Sequence, residues 1–171
     1  MTDMRGIDLA LLDERRLLAL ETYRILDTPP DPVIDGHLRV AAEACRLPIG
    51  VVAFLTTDSL WIKARLRFPF QDLDLDHSVC KYMLAGAPFL LIPDLRADPR
   101  TADNPLVTGP TGARFYAAVP LRSDANGMLG SLSLMDTVPH RPDDAAPFLS
   151  VMADRAAAVM AHLASRRIGD N

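Results

Sequence analysis

The amino-acid sequence predicts an α+β domain, with an antiparallel sheet in mid-chain and helices before and after it. Three observations predict this. Two pairs of apolar segments are each joined by a short polar turn; apolar residues at helical spacing mark both ends of the chain; and a long Pro- and Asp-rich stretch separates the pairs. Tight turns imply antiparallel strands, because parallel neighbours need a crossover of roughly a dozen residues or more.

The first helix is expected over about residues 9–26. Leu11, Leu18 and Ile25 recur every seven residues, with Leu12, Ala19 and Leu26 as a parallel row, a stripe suited to a partner helix. Thr28-Pro29-Pro30 ends it, since proline lacks the amide and disfavours helix in the residue before it. Asp31-Pro32 opens a second helix with an N-cap and a first-turn proline. Ile34, Leu38, Ala41 and Cys45 form its apolar face, and Pro48 closes it.

Residues 49–56 read as a strand covered on both faces. Residues 60–68 alternate, with Leu60, Ile62, Ala64, Leu66 and Phe68 on one side and Trp61, Lys63, Arg65 and Arg67 on the other. Thr57-Asp58-Ser59 joins the two as a hairpin. Residues 69–112 are irregular, with a helical turn near 79–84 and a short strand near 88–92. Strands over 114–121 and 128–136 meet around Asn126-Gly127, a pair that tolerates positive φ. A last helix is expected over about 144–166, with Asp143 and Asp144 at its positive end and Arg166-Arg167 at its negative end.

With 171 residues and 49% apolar content, the chain has material for one well-formed core. Its net charge is −4, and its 18 basic residues are dispersed, so a nucleic-acid footprint is absent from the pattern. No segment approaches the ~18 apolar residues of a membrane span, and the first residues lack a signal-peptide core. Two cysteines, Cys45 and Cys80, make no secreted disulfide framework. These features predict a cytoplasmic protein with reduced thiols, contacting neither nucleic acid nor membrane.

A series of short motifs carries a resemblance. Ile25-Leu26-Asp27-Thr28-Pro29-Pro30, Trp61-Ile62-Lys63-Ala64 and Ser78-Val79-Cys80 come first. Asp94 with Asp98-Pro99-Arg100, Asn104-Pro105-Leu106-Val107 and Arg114-Phe115-Tyr116-Ala117 follow, then Pro120-Leu121, Gly127, Leu129-Gly130 and Asp136. In that order, over about residues 20–145, they resemble the GAF domain family, the small-molecule sensor modules of bacterial signalling proteins. The resemblance implies a central antiparallel sheet of five or six strands. It places the N- and C-terminal helices on one face and a pocket roofed by loops, here residues 69–112, on the other. It also implies a homodimer through the terminal helices, with residues 1–27 as the dimerising segment and 28–171 as the core. Val79, Tyr82 and Ala118 depart from the family's aromatic, His and Gly, which argues against a ligand shared with the subfamily.

Cys80 opens a short helical turn beside the expected pocket, where a helix N-terminus and Lys81 would lower its pKa; as a small apolar residue it equally suits packing under the roof. Cys45, on the buried stripe of the second helix, reads as packing. Trp61, on the side opposite Leu60, is expected to face the roof. Arg100 suits a lock with Asp98 or Asp94. Arg114 suits either an acidic ligand or a tie to Asp136. With Tyr82 and Tyr116 these make the candidate ligand-binding set: Trp61, Cys80, Tyr82, Arg100, Arg114 and Tyr116. Asp72, Asp74 and Asp76 lack the Gly and Glu of a calcium loop, and the four histidines have no metal-ligand spacing. The cyclic-nucleotide and bilin signatures of other GAF domains are absent, and no cofactor is indicated.

The expected function is a sensory or regulatory domain, not an enzyme, that binds a small molecule or senses redox state. The chain ends soon after its last helix, so its signal is expected to pass to a partner chain such as a downstream signalling protein, through a homodimer, or to a portion beyond this sequence. Two alternatives remain: a thiol enzyme of the free methionine sulfoxide reductase type using Cys80, and a dimerisation module without ligand. The reductase would need a second thiol to recycle the oxidised one.

Overall fold

A computed structural model describes residues 4–123 and 127–169, with the side chains of 167–169 excepted. The chain order is α1 (Met4–Leu11), α2 (Glu14–Tyr23), α3 (Pro32–Cys45), β1 (Ile49–Leu55), β2 (Ser59–Leu66), β3 (Asp72–Asp74), β4 (Leu90–Ile92), α4 (Pro105–Thr108), β5 (Phe115–Ser123), β6 (Gly127–Asp136) and α5 (Pro142–Gly169). Six strands form one sheet in the order β3-β2-β1-β6-β5-β4, and every neighbouring pair is antiparallel. The α+β architecture expected from the hairpins is therefore the one adopted.

The sheet separates two apolar layers. On one face Val52, Phe54, Phe115, Ala117, Leu132 and Leu134 pack against Ile34 and Leu38 of α3 and Met152 and Val159 of α5. On the other, Val51, Ala53, Leu55, Ala118 and Met135 pack beneath Val79, Met83, Leu95 and Leu106 of the segment between β3 and β5. Burial of the central strands on both faces explains why β1 reads as an uninterrupted apolar run.

The first helix departs from expectation. It is two helices, because the Asp13 side chain accepts the N–H groups of Arg15 (2.8 Å) and Arg16 (3.3 Å) and starts α2 afresh. The change of axis breaks the heptad rows: Leu11, Ala19 and Ile25 are buried, whereas Leu12 and Leu18 are 64% and 63% exposed. Arg16, on the polar side of the expected stripe, is buried instead.

Strand β2 also differs. Val52 pairs with Ala64 and Ala53 with Ile62, which leaves Lys63 as the extra residue of a β-bulge. Leu60 and Ile62 lie in the roof-side layer, and Ala64 and Leu66 on the helix side. One inserted residue exchanges the faces, so the continuous alternation expected over 60–68 does not hold. The three-residue edge strand β3 pairs with β2; its exposed Asp72 and Asp74 carry no strand signal. Of the expected Asn126-Gly127 turn, Asn126 lies outside the described residues; Gly127 has φ 71°.

Helix α5 begins at Pro142, two residues ahead of expectation, and its far end is held by an ion pair. Asp31 caps α3 through the Val33 N–H (3.0 Å) and also meets His162 Nε2 (2.8 Å) and an Arg166 amine (2.9 Å). The Arg167 side chain lies outside the described residues. Burial would raise the Asp31 pKa, but the bond to His162, the backbone N–H groups of Val33 and Ile34 and the His162 charge outweigh it and hold the value below the usual carboxylate range. A carboxyl with a depressed native pKa contributes stability that is complete above its unfolded value and fades as pH falls through the native one. Asp31→Ala should therefore cost about 2 kcal/mol near neutral pH, combining a lost cap and a lost pair. Urea titrations should find this difference shrinking below about pH 4.

Candidate functional site

The roof consists of short pieces fastened at a few points. The Asn104 side chain caps α4 by accepting the Leu106 N–H (2.9 Å) and donates to the His77 carbonyl (2.9 Å). Thr101 donates to the Leu95 carbonyl (2.7 Å), and the Leu95 N–H donates to the Arg114 carbonyl (2.6 Å). Between these ties a single 3-10 turn, Cys80–Met83, sets Cys80 down onto the sheet.

Beneath it lies a polar cluster in an otherwise apolar layer. Ser78 Oγ and Cys80 Sγ are 3.3 Å apart, Tyr116 Oη and Ser133 Oγ 2.9 Å, and Ser131 Oγ and Ser133 Oγ 3.1 Å. All five side chains are buried. Cys80, Tyr116, Ser131 and Ser133 border a cavity of about 20 Å³, lined elsewhere by Val51, Phe68, Leu106 and Met135 among others. That volume suits one water molecule. The roof stands where the sequence places it, but side chains take up most of the space expected under it.

Burial raises the Cys80 pKa against the opposing bonds from Ser131 and Ser78. The activating pull expected from Lys81 is a minor effect. The Lys81 ammonium donates to the carbonyls of Leu75 (3.3 Å) and Asp76 (3.1 Å). Burial likewise pushes Tyr116 well above its usual value and Cys45 up to about 11.

The six candidate residues divide into separate groups. Cys80 and Tyr116 meet under the roof. Tyr82 and Arg100 lie together on its outer side, with the guanidinium carbon 5.2 Å from the ring centre and the Tyr82 hydroxyl 3.4 Å from the Arg100 carbonyl. Arg100 pairs with Asp98 (2.7 Å), in keeping with a locked loop. Arg114 reaches Asp94 through two bonds (2.9 and 2.8 Å). It does not pair with Asp136, whose carboxylate meets His140 (2.8 Å). Trp61 faces the helix layer, not the roof, because Leu60 and Ile62 take the roof side ahead of the bulge.

Ser131 and Ser133 were not among the candidates. Their signal is present in β6, as polar residues two apart in a strand otherwise buried and apolar. Among the described residues no group of three or more His, Cys, Asp or Glu is placed to hold a metal ion. No helix there is long and apolar enough to cross a membrane.

The profile of the GAF domain matches residues 17–160. The chain belongs to the GAF domain family. A cyclic di-GMP phosphodiesterase of Pseudomonas aeruginosa is 29% identical over 152 residues, covering 89% of this chain and 24% of that protein. The chain thus spans about a quarter of that curated relative. The nlh2 GAF domain of A. aeolicus, in an inactive state, superposes with a TM-score of 0.63 at 12% identity, over 89% of this chain and 97% of that one. A free methionine-R-sulfoxide reductase from Neisseria meningitidis, in complex with its substrate, gives 0.61 at 16% identity, over 89% and 91%. At such identities the likeness shows a shared fold alone. These GAF relatives correct the expectation that the chain is not an enzyme. A named phosphodiesterase contains the matching domain and a reductase has the same fold, so neither family nor architecture excludes catalysis.

Proposed function

We propose that this chain is a sensory or regulatory GAF domain of bacterial signal transduction that binds a small molecule beneath its roof. The observation supporting this is the convergence of Cys80, Tyr116, Ser131 and Ser133 on one cavity in an apolar layer, with Ser78 bonded to Cys80. A few convergent polar groups in an apolar pocket are the usual form of a small-molecule site. At about 20 Å³ the cavity admits a ligand only when the roof lifts, so the binding state is a minor conformer that the ligand selects. The likeness to the Pseudomonas phosphodiesterase supports a place in control of cyclic di-GMP turnover. Cytoplasmic location, pairing through residues 1–27 and signalling to a downstream protein complete the reading.

The small cavity favours a second reading, an interaction module without ligand. A thiol enzyme has less support, because Cys45, the other thiol, belongs to the layer on the opposite face of the sheet.

Native mass spectrometry of protein purified from its own host separates the readings. The expected result is an added mass that Ser131→Leu removes by filling the cavity. A bare chain, with roof amides exchanging as slowly as those of β1, would favour the module. In the same preparation a thiol reagent should modify neither cysteine until denaturant is added, since both are buried. Rapid labelling of Cys80 would restore the thiol-enzyme reading.

A further inference from the structure

We propose that the open cleft on the helix side of the sheet, between α3 and the β2–β3 edge, binds a small organic anion carrying a flat ring. This site lies across the sheet from the roof cavity, so the two readings stand or fall separately.

The cleft measures about 530 Å³. Its wall contains Lys63, the bulged residue of β2, only 6% exposed. The Lys63 ammonium donates to two neutral oxygens, Thr28 Oγ1 (2.6 Å) and the Pro29 carbonyl (2.7 Å). An ammonium has three N–H bonds, and Lys63 is in no ion pair among the described residues. Burial pushes its pKa down, Asp31 and Asp35 oppose this at longer range, and Arg166 adds to it. Buried charges ordinarily carry a partner. Here Lys63 lines the cleft, and its further neighbour is the Trp61 ring, not a carboxylate.

Two more cations, Arg39 and Arg65, line the cleft and are exposed. Neither pairs with a carboxylate among the described residues; Arg65 donates to the Phe70 carbonyl (3.0 Å). Against these three stand Asp35 and Asp72, which leaves one positive charge in excess. The two carboxylates would accept hydrogen bonds from a ligand's donors and repel a highly charged anion. Trp61 supplies a half-buried ring in the same wall, its centre 5.6 Å from Lys63 Nζ. A flat ring stacks on indole while its carboxylate or phosphate meets the cations. The bulge unites these features, because it puts Trp61 and Ala64 on the helix side with Lys63 between them.

Trp61 is the chain's one tryptophan, so its fluorescence reports the cleft directly. The probes are adenosine monophosphate, salicylate, adenosine and inorganic phosphate. Saturable quenching by adenosine monophosphate or salicylate is expected at millimolar concentration or below. Adenosine and inorganic phosphate should each bind at least roughly tenfold more weakly, lacking charge or ring. The first two probes distinguish a phosphate from a carboxylate ligand. Arg39→Ala with Arg65→Ala, both on the surface, should weaken binding about tenfold and leave the melting temperature nearly unchanged. Lys63→Met should abolish it, and the surface variant keeps the test valid if that chain fails to fold. No saturable quenching by either anionic ring, equal binding of adenosine and its monophosphate, or undiminished binding in the double variant would overturn the proposal.

Discussion

Gly130→Ala is expected to destabilise the domain by about 4 kcal/mol, more than any other alanine substitution of a described glycine. Gly130 lies in β6, flanked by Phe54 of β1 and Leu121 of β5. A methyl built there would run into the Ala53 carbonyl oxygen, with the Phe54 Cα only 2.9 Å away. Both obstacles are backbone in the middle of the sheet, so no side chain can swing aside. The strands must separate, and the layers on both faces lose contact together. The reason is space, not backbone conformation, since Gly130 is not among the positive-φ residues. Thermal unfolding should show a fall on the order of 12 °C. Gly36→Ala, inside α3 with open space around it, is the control and should stabilise by roughly 0.5–1 kcal/mol. A Gly130→Ala protein that melts like the parent would mean β6 does not approach β1 this closely.

Replacing Arg16 by Met should cost about 3 kcal/mol, although the change removes a charge and adds an apolar chain. The Arg16 side chain is 2% exposed and donates to four carbonyls: Ala10 (3.2 Å), Leu11 (3.0 Å), Leu55 (2.6 Å) and Thr56 (3.5 Å). Those of Ala10 and Leu11 lie at the C-terminal end of α1, where Ala10 also accepts the Asp13 N–H (3.3 Å); those of Leu55 and Thr56 leave β1 at the hairpin. One guanidinium thus fastens α1 to the sheet. Burial lowers the Arg16 pKa and the neighbouring Asp13 raises it, but an arginine stays protonated across the accessible range. Arg16→Lys should recover little, since one ammonium cannot span four acceptors. Urea unfolding at unchanged slope, with amide exchange in α1 accelerating beyond that in α2, is the expected pattern. Equal acceleration everywhere would deny Arg16 this local role.

Three of the residues suggested for binding serve two opposite faces of one sheet. Cys80 and Tyr116 belong to a nearly closed polar cluster under the roof, and Trp61 to an open cleft beside α3. Lys63 links that cleft to the end of α5, because it holds the Thr28–Pro29 turn next to Asp31, which in turn holds His162 and Arg166. Charge changes in the cleft are therefore two residues of chain away from the clasp on α5.

The family, the antiparallel sheet and the α3 cap at Asp31-Pro32 were legible in the sequence, because capping, tight turns and apolar spacing are local and act through neighbours along the chain. The break at Asp13 and the buried role of Arg16 were not, since the acceptors at Leu55 and Thr56 belong to a hairpin about forty residues away. The bulge at Lys63 was hidden for the same reason. A period-two pattern records which residues alternate but not where a partner strand skips one. That single skip moved Trp61 to the other face. How much room the roof leaves depends on the packing of side chains from distant segments, and only the tertiary structure decided it.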